Sequence, residues 1–114
     1  RYMDYLQEHD VQAIVAGAEK VDLRTALAEV RSRFKIRRIR VDSGGVLNGA
    51  LLRAGLVDEV SLLMAPILVG GESPRSVFVA PDLTEGDGVI PLRLVDCEAF
   101  PGGNIWLRYI VEND

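Results

Sequence analysis

At 114 residues, with 48% hydrophobic and 26% charged residues, the chain has the makings of one domain with a core and is not disordered. A formal net charge of −4 argues against nucleic acid as the main partner, because a phosphate-binding surface needs an excess of Lys and Arg. No apolar run approaches a membrane span and no signal peptide is evident, so a cytoplasmic location with no membrane partner is expected.

Residues Tyr2 to Glu8 read as a helix tail, with Tyr2, Tyr5 and Leu6 on one side. The lone His9 has no second histidine with which to share a metal. Val11 to Ala16, apolar and bounded by Asp10 and Gly17, reads as a buried strand. Asp22 is a good N-cap for the clearest helix, in which Leu23, Ala26, Leu27, Val30 and Phe34 recur at helical spacing. Ile36 to Val41 alternates apolar and basic residues and reads as a strand.

Arg31, Arg33, Lys35, Arg37, Arg38 and Arg40 form one basic run. It is either a solvated helix end passing into a polar strand edge or a cationic field beside an anionic ligand such as a cofactor phosphate. Ser43-Gly44-Gly45 breaks the strand, and a short helix through Leu47, Leu51 and Leu52 ends at Gly55, a left-handed C-cap candidate. The apolar run Val60 to Val69 resembles a strand covered on both faces, with Pro66 marking a bulge or a strand end. Gly70 to Ser76 and Asp82 to Gly88 read as loops. Leu92 to Ala99 and Ile105 to Val111 read as a hairpin turning through Phe100 to Asn104. Its single cysteine, Cys97, excludes an intrachain disulfide and a Cys-based metal site. No metal is expected. The order β-α-β-α-β followed by β-β predicts an α/β domain whose parallel sheet, joined by right-handed crossovers, is extended by an antiparallel hairpin.

The chemistry concentrates at Asp42-Ser43-Gly44-Gly45-Val46-Leu47-Asn48-Gly49. A strand ends in an acidic residue, two glycines follow, and a helix begins at once. Glycines allow a ligand close to the backbone, and the free N–H groups of a first helical turn favour phosphate. Gly-Gly here is also ordinary turn chemistry. The spacings of a Walker loop and of a Rossmann fingerprint are both absent.

The wider run from Val41 to Gly71, VDSGGVLNGALLRAGLVDEVSLLMAPILVGG, resembles the C-terminal reductase domain of the bifunctional riboflavin-biosynthesis deaminase/reductase family and its archaeal diaminopyrimidine reductase relatives. That family carries Val-Glu-Gly-Gly before a Leu-Asn- or Leu-Ala-initiated helix, then Gly-Leu-Val-Asp-Glu and an apolar strand with Ala-Pro, closed by Gly-Gly. Gly17 with Val21-Asp22-Leu23 fits the same pattern, and the resemblance covers about residues 2 to 111. It implies a dihydrofolate-reductase-like mixed sheet. It also implies NADPH as cofactor, and reduction of a phosphoribosylamino-pyrimidine of the 5-amino-6-(5-phosphoribosylamino)uracil type.

Carried over by position, Gly44, Gly45, Val46, Leu47, Asn48, Gly49 and Ala50 match the segment that holds the cofactor phosphates. Gly17 matches a loop near the cofactor, and Asp42 falls where the family has a substrate-contacting Glu. Gly70-Gly71 reads as structural. The resemblance further implies a non-proline cis peptide at Ser43–Gly44 and a homodimer, and Ile105, Trp106, Leu107, Tyr109 and Ile110, apolar on both faces of one strand, put the C-terminal strands in its interface. The sequence departs from the pattern at three positions: Asp42 is a methylene shorter than Glu, Ser43 replaces Gly or Ala, and Val46 replaces a frequent Thr. Family domains are about twice this length, so residues 1–114 read as a single partial domain, its C-terminal half, truncated before Arg1. Hydride delivery needs cofactor and substrate both positioned, so these residues alone are expected to be inactive. The alternatives are a dihydrofolate-reductase-like enzyme of another substrate and a non-catalytic dimerisation or ligand-sensing module.

Overall fold

A three-stranded antiparallel sheet in the order β1-β3-β2 is the only sheet among the described residues, with β1 at Glu59–Met64, β2 at Leu92–Ala99 and β3 at Ile105–Val111. The computed structural model describes residues 1–73 and 76–113. Two compact units divide the chain, Arg1–Val41 and Asp42–Asp114.

The sheet belongs to the second unit and is two-faced. Pairing of Val60 with Tyr109, Leu62 with Leu107 and Met64 with Ile105 puts these six on one side. Leu94 and Cys97, opposite Tyr109 and Leu107, join them, because a register shift between Leu94 and Asp96 inserts Val95 and resets the alternation. The other side is mixed: Leu63, Trp106 and Ile110 share it with Glu59, which pairs with Arg108 at 3.5 Å, and the Trp106 indole N–H donates to Ser61 Oγ at 2.7 Å. The buried hydrophobic residues are Leu51, Val60 and Val111. The expected hairpin is present with its expected limits, turning on Gly102 and Gly103 at φ 97° and 91°.

Helix α3, Gly45–Arg53, ends as its sequence suggests. Gly55 takes φ 67°, and the N–H groups of Gly55 and Leu56 return to the carbonyls of Leu52 and Leu51. A 3₁₀ turn follows later at Gly86–Gly88.

The first unit holds α1, Tyr2–Glu8, and α2, Leu23–Phe34. α1 closes in the same bonding pattern, with Asp10 at φ 55° in the place usually taken by glycine. His9 stays local, with Nδ1 2.8 Å from the Tyr5 carbonyl and its ring beside that of Tyr5. Asp22 caps α2 by accepting from the Thr25 N–H at 3.0 Å. That bond, above all, holds its carboxyl below the usual value. Lys35 ends α2 in the left-handed region at φ 56°.

The expected parallel sheet is not found. Residues 11–16 and 36–41 are neither helix nor strand, and Val15, Ile36, Ile39 and Val41 are exposed. An apolar, β-branched segment has the side chains of a buried strand, but it becomes one only when a neighbour supplies the ladder. No such neighbour exists for either segment among the described residues. The run expected as one strand from Val60 to Val69 stops at Met64. Pro66 cannot donate to a ladder, and beyond it Leu68 is 101% and Val69 90% exposed. The Gly70–Ser76 loop is present in part, Pro74 and Arg75 lying outside the described residues. Among the described residues no helix is long and apolar enough to cross a membrane.

Candidate functional site

The sequence-predicted residues fall in both units. Gly17 lies in the first, where its need for glycine is local: at φ 93° a Cβ would collide with the Lys20 carbonyl oxygen, while the Asp22 N–H closes the turn onto Ala16. The rest gather around the start of α3 in the second unit.

Gly44 is the N-cap of α3 at φ −71° and ψ 162°, and nothing stands within 4 Å of the place a Cβ would occupy. No side chain caps the helix. The N–H groups of Gly45, Val46 and Leu47 precede the first intrahelical bond, from Asn48 to Gly44, and have no acceptor among the described residues. Val46 is 71% exposed, and Leu47 and Asp42 are also exposed. This open turn can receive an anion. The Ser43–Gly44 peptide is trans, like every other bond among the described residues, so the expected cis bond is absent. Gly44 reaches the N-cap through ordinary extended backbone, which needs no such bond.

Gly45, Asn48 and Gly49 of the expected cradle also meet the chain itself. Ser76 to Pro81 crosses α3 so closely that a Cβ on Gly45 would overlap the Ser76 carbonyl and one on Gly49 the Val79 carbonyl. Val79 N–H donates to the Gly45 carbonyl at 2.9 Å. Asn48 Nδ2 donates to Val77 O at 3.2 Å and to Ser43 O at 3.4 Å, while Ser43 Oγ donates to Asn48 Oδ1 at 3.5 Å. Farther along the helix, Arg53 reaches the carbonyls of Pro81 and Gly88, both at 3.2 Å. Gly45, Asn48, Gly49 and Arg53 thus form one helical face that holds this strap. A cleft of about 470 Å³, lined by Val46, Gly49, Ala50, Arg53, Val79, Ala80 and Pro81, runs beside it. Sequence reading missed Arg53 and the strap. Their only sequence signal is the i, i+4, i+8 spacing of Gly45, Gly49 and Arg53, which is silent about what crosses there.

In the first unit, Arg31 and Arg37 line a shallow cleft, and Arg33 donates to the Ala13 carbonyl at 3.4 Å beside the Phe34 ring. Every residue from Arg31 to Arg40 is exposed. Among the described residues no group of three or more His, Cys, Asp or Glu could hold a metal ion.

A family model described as the RibD C-terminal domain matches residues 3–106. The 2,5-diamino-6-ribosylamino-4(3H)-pyrimidinone 5′-phosphate reductase of Methanothermobacter thermautotrophicus is 36% identical over 78 residues, 68% of this chain and 33% of that protein. The Aquifex aeolicus protein of the same name is 32% identical over 91 residues, 80% of this chain and 38% of its own. Among solved structures, Acinetobacter baumannii RibD matches with a TM-score of 0.78 at 26% identity, over 96% of this chain and 29% of that one. A pyrimidine reductase-like protein from Corynebacterium diphtheriae reaches 0.80 at 24% identity, over 98% and 44%, a likeness of fold alone. The chain spans about a third of the length of the curated relatives it matches.

Proposed function

We propose, because the chain belongs to the RibD C-terminal domain family, that it forms part of an NADPH-dependent reductase of riboflavin biosynthesis. Its substrate is a phosphoribosylamino-pyrimidine. The observation that carries this reading is the open glycine turn: an uncovered N-cap glycine followed by three N–H groups with no acceptor among the described residues. Such a turn accepts phosphate oxygens through directed hydrogen bonds and the positive end of the helix. Gly44, Gly45, Val46 and Leu47 would hold the dinucleotide phosphates through backbone alone, which suits a site where Val46 offers no hydroxyl. Bound, NADPH supplies the hydride. Asp42, just before the turn, is the residue offered to the substrate.

The finer architecture is part of the proposal. A dihydrofolate-reductase-like mixed sheet requires ladder partners for residues 11–16 and 36–41, whose exposed Val15, Ile36, Ile39 and Val41 favour such pairing. A homodimer is supported by β2, an edge strand exposed along all eight residues with Leu92 and Leu94 on its apolar side. A monomeric mass in light scattering at micromolar concentration would overturn it.

The test of the function is titration of the intact protein with NADPH, read by nicotinamide fluorescence, followed by turnover of the phosphoribosylamino-pyrimidine. Saturable binding with turnover is expected. Binding without turnover would refute the substrate, and no binding would refute the cofactor site.

A further inference from the structure

Asn48 sits three residues into α3, where the resemblance makes it a cofactor contact, but its carboxamide is already engaged. A carboxamide nitrogen has two hydrogens to give, and those of Asn48 point at two carbonyl oxygens, Ser43 O at 3.4 Å and Val77 O at 3.2 Å. Two carbonyl neighbours on one atom also fix which end of the side chain is nitrogen. What remains is Oδ1, an acceptor, and it receives the Ser43 hydroxyl at 3.5 Å. A side chain with both donors occupied and only an acceptor left presents nothing that a phosphate oxygen would seek.

The partners of Asn48 lie on two different segments. Ser43 precedes the N-cap Gly44, so its carbonyl and hydroxyl set the direction in which the chain enters α3. Val77 belongs to the strap, which is braced independently: Ser76 Oγ accepts from the Phe78 N–H at 3.3 Å and donates to the Phe78 carbonyl at 3.0 Å. The Val79–Gly45 bond and the arginine bonds of Arg53 secure the strap along the helix. A braced strap, one carboxamide and a glycine turn stand in series.

We infer that Asn48 is a positioning residue: it ties the Ser43–Gly44 turn to the Ser76–Pro81 strap and thereby holds the helix-entry N–H groups in their ligand-receiving arrangement. Ser43, where the family has Gly or Ala, adds a second arm to the same tie. Without Asn48 the turn loses the carboxamide that ties it to the strap, and a phosphate must then order the turn as it binds. That cost falls on affinity. The inference rests on the reductase reading, since NADPH is the ligand used to measure it.

The experiment replaces Asn48 with Ala in the intact protein. NADPH affinity is measured by nicotinamide fluorescence, and hydrogen exchange of the Val79 amide is followed without cofactor. Asn113→Ala is the control, because Asn113 makes a comparable single bond to the Val57 carbonyl at 2.9 Å, remote from the turn in sequence. Losing the tie is worth about tenfold in NADPH Kd, appearing in KM for NADPH rather than in kcat. Val79 should lose exchange protection in N48A alone. A Kd within about twofold of wild type would overturn the inference, as would an equal rise in N48A and N113A. If N48A does not fold, Ser43→Ala removes only the hydroxyl arm and should raise Kd about two- to threefold; no rise would overturn the inference in that form. Failure of the wild type to bind NADPH is a separate result, which defeats the reductase reading and this inference with it.

Discussion

Gly49→Ala tests the strap at its tightest point. Gly49 is buried, and its new methyl would overlap the carbonyl of Val79, with the Val79 backbone nitrogen 2.9 Å away. Backbone cannot swing aside as a side-chain tip can, so the strap must move. Overpacking of this kind costs about 1–3 kcal/mol. Displacement also weakens the Val79–Gly45 and Asn48–Val77 bonds, each worth about 1 kcal/mol. Against this, alanine is the better helix former by about 1 kcal/mol. The balance is a net loss of about 2–4 kcal/mol, or roughly 10–20 °C in Tm for a domain of this size. Urea unfolding followed by Trp106 fluorescence measures it. Gly44→Ala is the matched control, with open space at its Cβ position and backbone angles that any residue adopts. It should cost less than about 1 kcal/mol. A G49A protein within about 0.5 kcal/mol of wild type, or one more stable than G44A, would refute the close crossing.

Arg53→Lys should destabilise almost as much as Arg53→Ala, about 1 kcal/mol in thermal or urea melts, because an ammonium cannot span the Pro81 and Gly88 carbonyls as the guanidinium fork does. Full stability in the lysine variant would contradict the two-pronged anchor. Asp22 gives a pH dependence with a definite sign. The Thr25 N–H bond lowers its pKa in the folded chain, so its contribution to α2 is present above the ordinary carboxylate range and is lost as pH falls through the folded value. Far-UV circular dichroism melts from about pH 5 to about pH 2 should show wild type losing stability relative to Asp22→Asn, whose amide oxygen caps at every pH. A difference that does not change with pH would remove the ionised cap.

Local signals were the legible part of the fold. Asp22, the Leu23–Phe34 spacing, Gly55 and the Phe100–Asn104 turn act through neighbours one to five residues away, and each element appears where those residues put it. Residues 11–16 and 36–41 failed for the complementary reason. Val, Ile and Ala record a preference for burial, but strand formation is a property of a pair, and the sequence of one member does not reveal whether the other is in place. Val60 to Val69 mixes both lessons: the run is legible as a strand up to Met64, and Pro66 ends it, as its missing N–H allows.

The glycine turn shows where site reading stops. Gly44, Gly45 and Gly49 look alike in sequence, each a residue whose missing side chain makes room for something. Around Gly44 the room is empty, while around Gly45 and Gly49 it is filled by the chain itself from about thirty residues downstream. The type of residue records that close approach is needed and is silent on what approaches. The same holds for Asn48, whose amide can serve a phosphate or two carbonyls equally well by chemistry, and the carbonyls of Ser43 and Val77 occupy it. Under the proposed reading the ligand meets the open backbone of Gly44, Gly45, Val46 and Leu47, while Asn48 and Gly49 hold the chain that supports it. A binding surface made of backbone tolerates substitution of its side chains but not displacement of its support. Damage at Asn48 should therefore reach the turn through its bonds to Ser43, and damage at Gly49 through the strap.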